Sequence, residues 1–150
     1  MTDTTTQAHT EILAVLDARI AAHAARDVDA LFALSSDAPV MYTLAPPLQQ
    51  APDSPYGTRD GVRAWFGTFA GPVQLRHLDP VVTTDGDVAF VHALTSMTAT
   101  PAGASEPFTL WYRSTLGLRR IDGRWLIVHA HDSTPFHMDG SFRAAVDLQP

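Results

Sequence analysis

The sequence predicts an α+β domain in which helices pack on one face of a curved antiparallel sheet. Apolar residues recur at helical spacing through the first third, while from Val73 onward the texture becomes β. The later runs are separated by turn signals at Asp85-Gly86, in the loop Pro101 to Pro107, and at Asp122-Gly123. No internal repeat or linker divides the 150 residues, so a single domain is expected over 1–150. Residues 1–6 are read as a flexible tail and 137–150 as a C-terminal extension.

Thr4 and Gln7 form a capping-box pair, after which Ile12, Val15, Leu16, Ile20 and His23 keep helical spacing among alanines of high helix propensity. The Asp27 carboxylate caps a second helix over Val28 to Leu34, which Ser35-Ser36-Asp37 ends. A strand through Val40, Met41 and Tyr42 runs into Ala45-Pro46-Pro47, where proline forbids regular pairing, and a loop continues over 45–57. Thr58 caps a third helix with Val62, Trp65, Phe66 and Phe69 on one stripe. At the end, Phe142 to Leu148 reads as a short amphipathic helix that closes a pocket mouth or lies along a partner subunit.

Composition narrows the classes. Hydrophobic residues at 45% and charged residues at 17% describe a globular chain. Without cysteine there is no disulfide framework, thiolate metal site or cysteine nucleophile. A net charge of −6 repels a phosphate backbone, so no nucleic acid is expected as a partner. No apolar stretch approaches the roughly 20 residues that cross a bilayer, and the first residues lack a signal-peptide pattern. What remains is a protein acting on small molecules or on other proteins, expected in the cytoplasm and without a cofactor.

Near the end stands Gly123-Arg-Trp125-Leu-Ile-Val-His129-Ala-His131-Asp-Ser133; other distinctive pieces are Arg26-Asp27-Val-Asp29-Ala-Leu31, Ala45-Pro-Pro-Leu-Gln49, Gly86-Asp-Val-Ala-Phe90 and Trp111-Tyr-Arg113-Ser-Thr115. With this layout the chain resembles the nuclear transport factor 2-like superfamily, in its SnoaL-like and ketosteroid-isomerase-like branch. The resemblance implies a cone, a bent sheet wrapped around a long helix and enclosing a deep apolar pocket, in a homodimer. Isomerases, cyclases, dehydratases, epoxide hydrolases and purely binding or scaffolding proteins share this fold, so the fold alone does not name a function. The resemblance also implies a glutamate at the position of Ala130 and often an aspartate at that of Thr43; this chain has neither carboxylate.

Side chains alternate across a strand. A three-residue bulged loop at Asp122-Gly123 would set Leu116 opposite Ala130 and put Tyr112, Ser114, Leu116, Leu126, Val128, Ala130 and Asp132 on one face. Because the resemblance places an acidic pocket residue at or near Ala130, it implies that this even-numbered face is the pocket for a small apolar or aromatic molecule, with Tyr112, Trp65, Leu116, Val128 and Ala130 as lining. On the other face Arg113, His129 and His131 form a polar cluster that stabilises the sheet or a dimer contact.

Within the pocket, His92 is the candidate base, since an imidazole accepts a proton at neutral pH, and the resemblance places catalytic groups on its strand. Asp132 is a second acid or base, and Tyr42 or Tyr112 a hydrogen-bond donor to a developing oxyanion. The leading reading is an isomerase, cyclase or dehydratase that transfers a proton beside a carbonyl. Its rivals are a non-catalytic dimeric module that binds a ligand or a protein, and a metal-dependent enzyme built on His129 and His131 with His77, His92 or His137 as a third ligand.

Overall fold

A computed structural model of the chain describes the backbone of residues 2–150 and the side chains of residues 5–150. Among the described residues there are three α-helices: α1 (Thr2–Ala25), α2 (Val28–Ala33) and α3 (Arg59–Phe66). Five strands, β1 (Ser35–Tyr42), β2 (Gln74–Asp85), β3 (Val88–Ala99), β4 (Phe108–Ile121) and β5 (Arg124–Ser133), form one sheet in the order β1-β5-β4-β3-β2. β2 to β5 are the expected antiparallel meander. β1 arrives from α2 without a hairpin and lies parallel to β5, which makes the sheet mixed.

Local chemistry sets the element ends. α1 is already helical at Thr4, so its start lies upstream of the expected cap, inside the segment read as a tail; the Thr4 side chain lies outside the described ones. α1 ends in a paired-bond stop: Arg26 takes φ 54°, its N–H bonds to His23 O, and Asp27 N–H bonds to Ala22 O. The Asp27 carboxylate accepts from Ala30 N at 3.0 Å, and the Thr58 hydroxyl from Gly61 N at 3.0 Å, so both sequence-read caps form. Ser35-Ser36-Asp37, read as a helix stop, instead opens β1. No helix forms over 142–148: Gly140 and Phe142 take φ 83° and 56°, and the chain folds back so that Phe136 bridges Ala144.

Two irregularities decide which side chains face inward. The β4–β5 turn is a two-residue loop between Ile121 and Arg124, with φ of 50° at Asp122 and 78° at Gly123, and not the expected three-residue loop. The extra residue lies further along β5. The register steps from Leu118 opposite Ile127 to Gly117 opposite His129, which leaves Val128 as a bulge. Leu116 therefore does face Ala130, and Ser114 faces Asp132, but Trp125 and Ile127 join their side of the sheet in place of Leu126. In β2 the register breaks between Leu78 and Val81, where Asp79 has φ 44° and Pro80 offers no N–H to a ladder.

The inner face, against α1, is layered. At one level Ile12 and Leu16 of α1 pack with Val91, Leu116, Leu118, Trp125, Ile127 and Ala130. At the other, Val28, Phe66, Val73 and Ala99 pack with Trp65, Phe69, Met97 and Phe108. The two strands that contribute to both clusters carry polar groups between them, Thr95 on β3 and Tyr112 and Ser114 on β4, and His77 of β2 stands opposite Thr95. Fully burying one aliphatic side chain stabilises by about 1.5–3 kcal/mol, so residues such as Ile12 and Leu118, both at 0% exposure, carry much of the fold.

Trp125 ties α1 to the last hairpin. Its Nε1–H donates to Glu11 Oε2 at 3.1 Å, the Arg120 guanidinium lies 4.9 Å from its ring centre, and Arg120 also pairs with Glu11 and Asp87. Arg120 is thus half-buried and engaged. Trp125→Ala is expected to lower unfolding stability in urea by about 3–5 kcal/mol, as for other buried aromatic truncations. A change within about 0.5 kcal/mol, the scale of an ordinary surface substitution, would show that the ring is not a core anchor.

Candidate active site

The polar groups between the two apolar clusters come from every layer of the fold. α1 contributes Arg19 and His23, three and seven residues after Leu16, on the stripe that faces the sheet. Ser114 Oγ–H donates to Asp132 Oδ1 at 2.6 Å across the β4–β5 ladder. His77 Nδ1 and Thr95 Oγ1 lie 2.8 Å apart across the β2–β3 ladder, and Thr95 is fully buried. His23 Nδ1–H donates to Arg19 O at 2.8 Å, and its ring meets Trp65 and Phe66 edge-on, at 6.4 and 5.9 Å between centres.

Electrostatics couple these groups. Burial, with the nearby Arg19 charge and a weaker effect of His77, lowers the His23 pKa to about 3. His77 is lowered to about 4 by burial and Arg19, with Asp17 acting in the opposite sense. Burial raises the Tyr112 pKa well above its usual value, the Asp132 charge adds to this and Arg19 opposes it, so the phenol stays protonated. Two nitrogens in this band are shielded from solvent with no hydrogen-bond partner, Arg19 Nη1 and His77 Nε2.

Asp132 also borders a cleft of about 630 Å³ at the end of the β1–β5 ladder, with Tyr42, Thr43, the 44–49 loop and His131. The buried Gln50 shapes that loop: its amide donates to Thr43 Oγ1, Ala45 O and Pro46 O at 3.2–3.3 Å. A second cavity, about 480 Å³, is lined by Ile20, Ala24 and Trp111 and by the polar side chains of Gln74, Arg76, Ser96, Thr98 and Thr109.

The residues singled out in the sequence separate into three groups. Asp132 and Tyr112 face inward, and Asp132 and Tyr42 share the cleft; the Tyr42 ring meets His129 and His131 edge-on at 5.1 and 5.4 Å. Trp65 is half-buried in the α3 cluster. Leu116 and Ala130 are packed by α1 and do not line an open pocket, and Val128 is the bulge residue outside that cluster. The placement of His92 in the hollow is corrected: it is exposed on the outer face between Val81 and Thr115, its ring against Phe90 at 6.4 Å. Arg113, His129 and His131 lie on that outer face too. His129 Nδ1–H donates to Val40 O at 2.8 Å, and among the described residues no three His, Cys, Asp or Glu side chains converge as a metal site.

The sequence reading missed Arg19, His23 and Gln50 at the site, weighed His77 only as a metal ligand, and put Ser114 on the inner face without a role. A signal for His77 existed, since it keeps phase with Val73 and Leu75, as Ser114 does with Tyr112 and Leu116.

A bent sheet wrapped around a long N-terminal helix is the fold of the nuclear transport factor 2-like class. Residues 12–137 match the SnoaL-like domain family, and the chain belongs to it. A nuclear transport factor 2-like protein of unknown function from Pseudomonas putida KT2440 is 27% identical, with TM-score 0.81 over 97% of this chain and 98% of that one. A protein from Novosphingobium aromaticivorans named as a candidate scytalone dehydratase is 17% identical, with TM-score 0.76 over 97% and 95%. A superfamily member from Salmonella enterica serovar Typhimurium is 18% identical, with TM-score 0.72 over 91% and 97%. No curated protein matches the sequence.

The lowered histidines make stability depend on acid. Below pH 6.5 the unfolded chain binds protons at His23 and His77 that the folded chain refuses, so stability is full above pH 6.5 and falls as pH drops toward 4. His23→Phe is expected to flatten that fall in urea titrations at pH 7 and pH 5. An identical pH slope in the variant would show that His23 is not held neutral.

Proposed function

We propose that this protein is an enzyme of the isomerase, cyclase or dehydratase kind, transferring a proton beside the carbonyl of a small apolar or aromatic molecule. The observation that carries this reading is Asp132, a carboxylate fixed on one side by Ser114 and open to the cleft, with Tyr112 close enough to feel its charge. Among the described residues the Tyr112 hydroxyl makes no hydrogen bond, which leaves its proton free for a substrate oxygen.

The chemistry follows from those two groups. Asp132 accepts the proton from the carbon beside the carbonyl, and the electron pair moves onto the carbonyl oxygen. Tyr112 donates a hydrogen bond to the enolate oxygen. Return of the proton at another carbon isomerises the substrate, loss of a hydroxide as water dehydrates it, and attack of the enolate carbon on an internal electrophile closes a ring. Every group used belongs to the chain, and Tyr42, at the cleft wall, orients the incoming molecule. The likeness to a protein named as a candidate scytalone dehydratase supports the choice of reaction type.

The same proposal takes the enzyme as a cytoplasmic homodimer. Val81, Val88, Phe90 and Leu94 stand 42–55% exposed on the outer face, an apolar band of the kind that a second copy covers. Phe90→Glu is expected to shift the protein to monomer in light scattering while leaving its circular dichroism unchanged; a dimer that persists would place the contact elsewhere.

Turnover of a panel of cyclic ketones and β-hydroxy ketones tests the mechanism. Asp132→Asn should abolish activity, Tyr112→Phe should lower kcat by about 100- to 1,000-fold as a lost oxyanion donor does, and His92→Ala should retain it. Full activity in Asp132→Asn, or its loss in His92→Ala, overturns the assignment.

A further inference from the structure

Arg19 is a half-buried cation among the inner-face groups, and it forms no ion pair and donates no hydrogen bond among the described residues. Charges held away from water are ordinarily paired, because leaving one unpaired costs more than the fold recovers elsewhere. The charged and titratable groups around it are Asp17 and His23 on its own helix, His77 on β2, Tyr112 on β4 and Asp132 on β5. Neither carboxylate comes within ion-pair distance of Arg19: Asp17 is exposed, and Asp132 is engaged by Ser114. Its Nη1 is shielded from solvent and pairs with no acceptor among the described residues.

We propose that Arg19 and His77 bind the carboxylate of an aromatic acid, whose ring lies against Trp65 and Phe66. His77 is coupled to Arg19 and has its own shielded, unpartnered nitrogen, Nε2; with the Thr95 hydroxyl donating to Nδ1, the imidazole presents Nε2–H as a second donor. One guanidinium and one neutral imidazole suit a planar, singly charged group with two oxygens. A phosphate dianion would be left short of cations. His23 connects the two halves of the site, since it bonds to the Arg19 carbonyl and meets both aromatic rings edge-on. The assignment rests on the reading of the interior as a small-molecule site and adds the substrate class: the carbonyl compound that Asp132 deprotonates also bears a carboxylate.

The test uses benzoate as probe, with benzamide as its neutral counterpart and inorganic phosphate as a second anion, each titrated into the full-length protein by calorimetry. Benzoate should bind, benzamide and phosphate should bind at least tenfold more weakly, and Arg19→Met should weaken benzoate roughly 10- to 100-fold, the worth of one charged hydrogen bond. The His77 ring, followed by NMR, should titrate at higher pH with benzoate present, because a bound anion favours the imidazolium. If Arg19→Met does not fold, Arg19→Gln serves the same purpose. Failure of benzoate to bind the natural protein, equal binding of benzamide or phosphate, or undiminished binding to the Arg19 variant overturns the proposal. Asp132→Asn separates the two readings: it should keep benzoate binding while losing turnover, so a failed carboxylate site leaves the proton-transfer test standing.

Discussion

Ile12 and Leu16, one turn apart on α1, pack against Val91, Leu116 and Leu118, and through this contact the helix decides which side of every strand is interior. Register and phase have no inside until something covers one face. Once α1 lies across the sheet, Thr95, Tyr112, Ser114 and Asp132 are carried inward with the apolar residues that share their phase, and His92 and His131 are carried out.

The polar band is costly as architecture. Two apolar clusters that could have met are separated by a guanidinium, two imidazoles, a phenol and a carboxylate, some with polar atoms left unpartnered. Groups of this kind persist in an interior when they serve a ligand. The same burial that keeps His23 and His77 neutral keeps the Tyr112 phenol protonated, so the band holds neutral donors beside the Arg19 guanidinium and the Asp132 carboxyl group. The price is sensitivity to acid, because protons are taken up on unfolding.

His92 shows how the outer face misleads. Val88, Phe90, His92 and Leu94 alternate with Ala89, Val91, Ala93 and Thr95, and a reading by bulk and hydrophobicity assigns the first set to the interior. The structure does the opposite: Ala89, Val91 and Thr95 face inward, and Val88, Phe90, His92 and Leu94 are left exposed on the outer face. The absent glutamate at Ala130 has a similar account, since Ala130 is packed in the α1 cluster and the carboxylate stands two residues on, at Asp132.

Local signals in the chain were enough for the three helices, the caps at Asp27 and Thr58, the place of the turn at Asp122-Gly123 and the run of long strands, because each depends on backbone preference and spacing within a few residues. Leu116 meets Ala130 as expected only because the bulge makes up for a turn one residue shorter than the one read. Tertiary structure alone decided the bulge at Val128, the break at Asp79-Pro80 and the parallel seat of β1, and so the company kept by Trp125, His77 and Arg19. A bulge inverts the inward and outward sets beyond it by a single inserted residue, and whether one forms is settled by how the whole sheet bends around its helix.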